Sequence, residues 1–143
     1  MRTACPDPRL TVLALLAGML VCGPAPADPP DRLLGPAEFE AIFVGRTFSY
    51  ADQGVTWGIE TYLPDHRVLW RAVGQECKLG HWYAEGTAIC FTYDDGTTGQ
   101  CWQFIERGRG GMEALFLNDP GSVPSSITQE PDSVACPGPD IGS

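Results

Sequence analysis

Two histidines and a few acidic side chains are the residues of this 143-residue chain that acid–base chemistry would use. His81 has Glu76 and Glu85 near it in sequence, and an imidazole beside a carboxylate can transfer protons near neutral pH. The sequence contains no G-x-S-x-G nucleophile motif, phosphate loop or dinucleotide fingerprint. We therefore predict no enzymatic activity and no cofactor. A small hydrolase or isomerase that uses His81 with a carboxylate is the alternative.

The tryptophans are the residues best suited to bind a ligand. We expect Trp57, Trp70, Trp82 and Trp102 to share one apolar face, where they are the candidate ligand-facing aromatics. Their rings can line a pocket for an apolar small molecule, as in small barrels generally, or they can fill the interior. A narrow sheet of about seven strands favours a filled interior, and the pocket stays open as the alternative.

The cysteines have a structural pattern. Cys77, Cys90, Cys101 and Cys136 follow the N-terminal apolar segment, and an even number in a small exported domain indicates two disulfides. A hairpin turn at Asp95-Gly96 sets Cys90 opposite Cys101 and leaves Cys77 to pair with Cys136. The pairing of Cys77 with Cys90 and Cys101 with Cys136 stays open, because a bulged turn would change the partners. No C-x-x-C pair occurs, so we predict no metal site.

The N-terminus has the layout of a secretory signal peptide. Basic residues precede an apolar run from Leu10 to Cys22, and an A-x-A pattern ends at Ala27. We predict cleavage after Ala27 and a periplasmic or secreted location. A lipid anchor at Cys22 is disfavoured because Val21, which precedes it, is not small. The 13-residue run is too short to span about 30 Å of hydrocarbon, so no membrane insertion is expected after cleavage.

The charge limits the partners. The formal net charge is −9, and the chain without residues 1–27 keeps seven basic and seventeen acidic side chains, a net charge of −10. Such a chain repels phosphate backbones and anionic membrane surfaces, which argues against nucleic acid as a partner. A basic envelope protein is compatible with this charge.

One short helix is predicted between Pro36 and Gly45. Pro36 suits the first helical position and Gly45 suits a left-handed stop. Phe39, Ile42 and Phe43 fall on one face, so the helix should lie against a core.

The middle of the chain alternates with period two, which predicts strands joined by tight turns. Two-residue loops are expected at Gln53-Gly54 and at Pro64-Asp65. The resulting registers place Glu60 on the outer face, diagonal to Arg67 and Arg71. The same registers place these side chains together on the apolar face: Phe48, Tyr50, Trp57, Ile59, Leu63, Val68 and Trp70.

Three further turns are predicted at Glu85-Gly86, at Asp95-Gly96 and over residues 107–111. The first two are two-residue loops, and the loop over residues 107–111 is taken to close symmetrically. Together they align one row of side chains across four strands: Trp82, Ile89, Trp102 and Phe116.

The fold class is therefore mainly β. We predict about seven antiparallel strands in up-and-down order that close into a small barrel or half-barrel, with the helix at an open end. An open sheet covered by the helix is the alternative. Residues 28–35 form a Pro-rich leader and residues 36–118 form the β domain with its helix. Residues 119–143, where 13 of 25 positions are Pro, Gly or Ser, form an irregular tail tethered by Cys136.

A set of short motifs resembles a known group of proteins. They are Phe39-Glu40 with Gly45-Arg46-Thr47, Tyr62-Leu63-Pro64, Glu76-Cys77, Gly80-x-Trp82-Tyr83, Ile89-Cys90-Phe91, Gln100-Cys101-Trp102 and Cys136-Pro137-Gly138-Pro139. This layout is similar to that of small, secreted, uncharacterised proteins of alphaproteobacteria, a domain of unknown function with a G-R-T…G-x-W…C…C pattern. The resemblance implies a periplasmic or secreted β-rich domain and supplies no catalytic residues.

These observations together predict an exported, non-enzymatic binding or envelope-accessory module. An apolar small molecule is one expected partner. An inhibitor-like module that binds a basic envelope protein is the alternative.

Overall fold

The computed structural model of the chain describes residues 25, 27–132 and 135–136. Apart from residues 25 and 27, the predicted signal peptide lies outside the described residues. Within them no helix is long and apolar enough to span a membrane. The described part is mainly β, with these elements: β1 (Arg32–Leu33), α1 (Pro36–Phe43), β2 (Thr47–Asp52), β3 (Val55–Tyr62), β4 (Arg67–Ala72), β5 (Lys78–Glu85), β6 (Ala88–Tyr93), β7 (Gln100–Glu106), β8 (Met112–Phe116) and β9 (Ser125–Glu130).

Strands β2 to β9 form a closed antiparallel barrel. Each strand from β2 to β8 pairs with the next, and β9 closes the sheet by pairing with both β8 and β2. The two-residue β1 lies outside the barrel and pairs with β7. Closure removes the exposed edges that an open sheet of this size would leave.

The prediction that the tail is irregular is wrong at β9, and the barrel has eight strands where about seven were expected. Ser125–Glu130 forms a strand because its side chains alternate: Ser125 and Ile127 are buried, whereas Ser126 and Thr128 are exposed. The Pro, Gly and Ser residues around it favoured the prediction of an irregular segment over that of a strand. The barrel therefore extends beyond residue 118 to Glu130.

Helix α1 fills one end of the barrel. It begins with Pro36 after Gly35, whose N–H donates to the Glu38 carboxylate at 2.9 Å. Phe39 and Phe43 are fully buried, with their ring centroids 4.5 Å apart. Aromatic side chains from four strands pack around this pair, namely Phe48, Tyr62, Trp82 and Phe104.

The predicted orientation of β3 is wrong. The Gln53-Gly54 turn forms as expected, with Asp52 opposite Val55, but the pairing then shifts because Trp57 is an extra residue. Such a bulge reverses the face of every later residue in the strand. Glu60 therefore points into the barrel with 3% exposure, and its predicted outer-face position is wrong.

The next turn is one residue longer than predicted, because Pro64, Asp65 and His66 all lie between Leu63, whose N–H donates to the Arg67 carbonyl at 2.8 Å, and Arg67. Asp65 and His66 have φ of 62° and 58°. A type I′ turn needs positive φ at both central residues, which the proline ring forbids. The new register pairs Glu60 with Trp70. This shift and the bulge offset each other, so β2 and β4 keep their predicted faces while β3 between them is reversed.

The second half of the barrel follows the predicted registers more closely. Ile89 lies opposite Trp102, and Trp102 lies opposite Phe116, as expected. The β5–β6 turn is centred on Gly86-Thr87, because Gly86 takes a φ of 60° at the position that a type II′ turn reserves for glycine. Trp82 is consequently opposite Phe91, and its predicted pairing with Ile89 is wrong.

Both predicted disulfides are confirmed. Cys90 and Cys101 are opposite each other on β6 and β7, and their sulfurs are bonded. Cys77 is bonded to Cys136, 59 residues away, and ties the segment after β9 to the start of β5. The alternative pairing is thereby excluded.

The long-range disulfide should contribute more to stability than the short one. In the loop-closure account, replacing both Cys77 and Cys136 with Ser should cost about 4 kcal/mol of unfolding free energy, measured by urea denaturation. The matched control, Cys90→Ala with Cys101→Ala, opens a much shorter loop and should lose about 3 kcal/mol. A loss below about 1 kcal/mol in the first variant would contradict a tethering role for Cys136.

Candidate functional site

The barrel interior beyond α1 is hollow. It holds a cavity of about 620 Å³, within the range of small-molecule binding sites. The sequence favoured a filled interior, and the structure has a filled end at α1 and a cavity at the other end. The lining consists of Tyr50, Asp52, Trp57, Glu60, Trp70, Ala72, Phe91, Tyr93, Gln100, Trp102, Phe104, Phe116, Gly121, Ser122, Val123 and Ser125.

Three tryptophans form one aromatic wall of the cavity. The ring centroid of Trp57 is 5.2 Å from that of Trp70 and 6.0 Å from that of Trp102. Phe116 extends the wall, with its centroid 4.7 Å from Trp102. All four side chains are partly exposed, so the wall presents aromatic surface to an incoming molecule.

The position of Trp70 depends on a glycine. Its indole lies directly over Gly58 of β3, where an added Cβ would come within 1.8 Å of the Trp70 ring. Any side chain at residue 58 would displace that ring. The bulge and the glycine next to it therefore shape this wall together.

Glu60 is the buried ionisable group of the cavity. Tyr62 donates its hydroxyl proton to Glu60 Oε2 at 3.0 Å, and Tyr93 donates to Oε1 at 3.0 Å. The hydroxyls of Tyr50 and Tyr62 are 2.5 Å apart. Because a phenol has one proton and Tyr62 gives its own to Glu60, Tyr50 is the donor in that pair. Three tyrosines on β2, β3 and β6 therefore hold one carboxyl group in place.

Burial dominates the protonation of this group. Desolvation raises the pKa of Glu60 from 4.5 to about 7, against the lowering effect of the Tyr62 and Tyr93 hydrogen bonds. Desolvation, with the nearby Glu60 charge, also raises the pKa of Tyr50, Tyr62 and Tyr93 far above the ordinary tyrosine value. The tyrosines are therefore uncharged, while Glu60 changes its charge near neutral pH.

A second carboxylate lies where the cavity opens to solvent. Asp52 is exposed, and its Oδ1 accepts hydrogen bonds from Trp57 Nε1 at 3.2 Å and from Ser125 Oγ at 2.5 Å. These bonds join the β2–β3 hairpin to the start of β9. The same contact fixes the orientation of the Trp57 indole.

The structure places the four predicted tryptophans in two groups. Trp57, Trp70 and Trp102 line the cavity, but Trp82 does not. Trp82 is buried against Phe39 of α1, with the ring centroids 5.1 Å apart, and stacks on His66 at 3.9 Å. It is part of the packed end because its position on β5 is level with the helix. Its indole nitrogen has no hydrogen-bond partner among the described residues.

The residues considered for catalysis or metal binding are not in the cavity. His81 is exposed on the outer face of β5, paired in register with Arg67 and Thr92. Glu85 lies near the sulfurs of Cys90 and Cys101. Since those sulfurs are joined in a disulfide, they cannot supply the thiolates that a zinc site requires.

Sequence reasoning missed Glu60 and its tyrosines as site residues. One signal was available. A glycine inside a strand pattern often marks a bulge, and Gly58 follows Trp57 directly. A bulge there would have turned Glu60 and Tyr62 inward.

No protein-family model, curated protein or solved structure matches this chain. The resemblance to secreted alphaproteobacterial proteins stays a prediction.

Glu60 should make the stability of the protein fall with rising pH. The folded protein holds the Glu60 proton more tightly than the unfolded chain does, so this contribution is fully present below pH 4.5 and is lost as the pH rises through 7. At 1.36 kcal/mol per pH unit the unfolding free energy should decrease by about 3 kcal/mol.

Urea denaturation between pH 4.5 and 8 measures this effect. Glu60→Gln should remove most of the decline and stabilise the protein at pH 8. Glu85→Gln, on the exposed end of β5, is the matched control and should keep the decline. An unchanged slope in Glu60→Gln would show that another group titrates.

Proposed function

We propose that this chain is an exported, non-enzymatic binding module that holds one apolar small molecule in the barrel cavity. The observation that supports this most strongly is the cavity of about 620 Å³ with its wall of Trp57, Trp70 and Trp102. A hollow of this size lined by aromatic rings, with few polar groups at defined positions, is typical of ligand sites.

The proposal also rests on how the two ends of the barrel differ. At the helix end Phe39 and Phe43 occupy the interior, so burial there already stabilises the fold. At the other end large aromatic side chains surround empty volume and stay partly exposed. A bound apolar molecule would remove this surface from water, which gives the site its driving force.

The proposed location is the periplasm or the extracellular medium. The two disulfides are compatible with an oxidising compartment. The basic and apolar N-terminal layout supports export by the secretory route.

An uncharged fluorescent probe, N-phenyl-1-naphthylamine, should bind saturably with one molecule per chain. Trp102→Ala should weaken this binding at least about fivefold, because a lost aromatic contact is worth on the order of 1 kcal/mol or more. Trp102→Phe should retain most of the affinity. Val55→Ala, a change at a solvent-exposed position of β3, is the control and should bind normally.

Blocking the cavity gives an independent test. Ala72→Trp places a large ring among the lining residues and should abolish probe binding while the near-ultraviolet circular dichroism stays native. Native mass spectrometry of protein purified from the periplasm should then show a bound molecule in the wild type only. The absence of both saturable probe binding and a bound mass would contradict the proposal.

A further inference from the structure

The charges around the cavity all have one sign. Its ionisable lining groups, tyrosines aside, are Glu60 in the interior and Asp52 at the opening. Among the described lining residues none is Lys, Arg or His. A ligand with a carboxylate, phosphate or sulfate would meet two negative groups and no positive one, so the cavity disfavours anions.

Glu60 retains hydrogen-bonding capacity toward the cavity. An ionised carboxylate offers about four acceptor positions. Tyr62 and Tyr93 use one on each oxygen. Both tyrosines donate, so they orient the carboxylate without neutralising its charge. A buried carboxylate without a cation costs free energy, and a positive group placed beside it would remove much of that cost.

Aromatic faces lie next to this carboxylate. Trp70 is the cross-strand partner of Glu60. The Tyr50 centroid is 6.0 Å from Trp70 and 5.8 Å from Trp57. Electron-rich rings attract cations over their faces, and tryptophan does so most strongly. The negative carboxylate and the aromatic faces therefore favour the same kind of ligand.

We propose that the cavity selects an organic cation, an amine or quaternary ammonium with apolar substituents, whose positive centre lies against Glu60 and the neighbouring rings of Trp70 and Tyr50. This inference rests on the proposed ligand-binding function and specifies the ligand class. The apolar substituents occupy the space toward Trp102 and Phe116.

Cation binding is then linked to the protonation of Glu60. The titratable groups that face it are Tyr50 from β2, Tyr62 from its own strand and Tyr93 from β6, and the exposed Asp52 is a further acidic residue of the lining. The three tyrosines stay protonated at neutral pH, and Asp52 is exposed. Below pH 7 the bound cation must displace the Glu60 proton, so affinity should rise with pH and level off above 7.

A pair of isosteres tests the charge requirement. The probes are (1-naphthylmethyl)trimethylammonium, whose charge is independent of pH, and its uncharged carbon isostere 1-neopentylnaphthalene. Each competes with N-phenyl-1-naphthylamine. At pH 8 the cation should bind at least about tenfold more tightly than the isostere, as expected for a desolvated cation beside rings and a carboxylate. Its affinity should fall by about tenfold for each pH unit below 7, while that of the isostere stays constant.

Two variants identify the responsible acid. Glu60→Gln should lose the preference for the cation and its pH dependence but keep its affinity for the isostere. Asp52→Asn should weaken cation binding less and keep the pH dependence.

The outcomes separate the two proposals. If N-phenyl-1-naphthylamine binds but the isostere competes as well as the cation, or neither competes, the cation assignment is wrong and the binding function stands. Loss of the pH dependence in Asp52→Asn would also overturn the role of Glu60. If N-phenyl-1-naphthylamine itself does not bind, the proposed function fails first.

Discussion

The extra residue at Trp57 decides the chemistry of the barrel interior. Without the bulge β3 would present Ile59 and Thr61 inward, and this strand would give the cavity no ionisable group. With it, Glu60 and Tyr62 point inward, and a buried carboxyl group lines the cavity. The hydrogen bonds from the tyrosines give each oxygen of that group a partner, as is usual for a buried polar side chain. By shifting the register of β3, the bulge therefore places an ionisable side chain in the cavity.

The filled and hollow ends of the barrel have different roles. The helix end contains the fully buried aromatic core around Phe39 and Phe43. The hollow end contains Glu60, whose burial opposes stability when the group is charged. Fold stability comes mainly from the first end, which allows the second to keep an unfilled volume and an ionisable group.

The sequence predicted much of the framework, and its errors have physical causes. The predicted register of β6 and β7, and with it the Cys90–Cys101 bridge, is confirmed although the turn itself differs. Tyr93 pairs with Thr97 across a three-residue loop, and one extra residue before Gln100, where Gly99 has a φ of 67°, restores the predicted register. The prediction for β3 was wrong because a bulge and a turn one residue longer than expected each shift the register by one residue, and the two shifts cancel at β4. β9 was missed because its neighbours are turn formers, and a closing strand depends on partners far away in sequence. The cavity could not be predicted, since an empty volume depends on how completely side chains pack in three dimensions.

Closure by β9 has a consequence for when this domain can fold. Ser49 of β2 donates a hydrogen bond to Glu130 at the end of β9, 81 residues further along the chain. A structure that depends on such distant pairing has a high contact order and folds slowly, because the loop must be closed before the contact is gained. The helix that fills the barrel lies near the start of the described chain, but its core is enclosed only after the last strand has emerged. A chain with this order cannot close its barrel until Glu130 has been synthesised, and the Cys77–Cys136 bond cannot form earlier than that, because Cys136 follows β9.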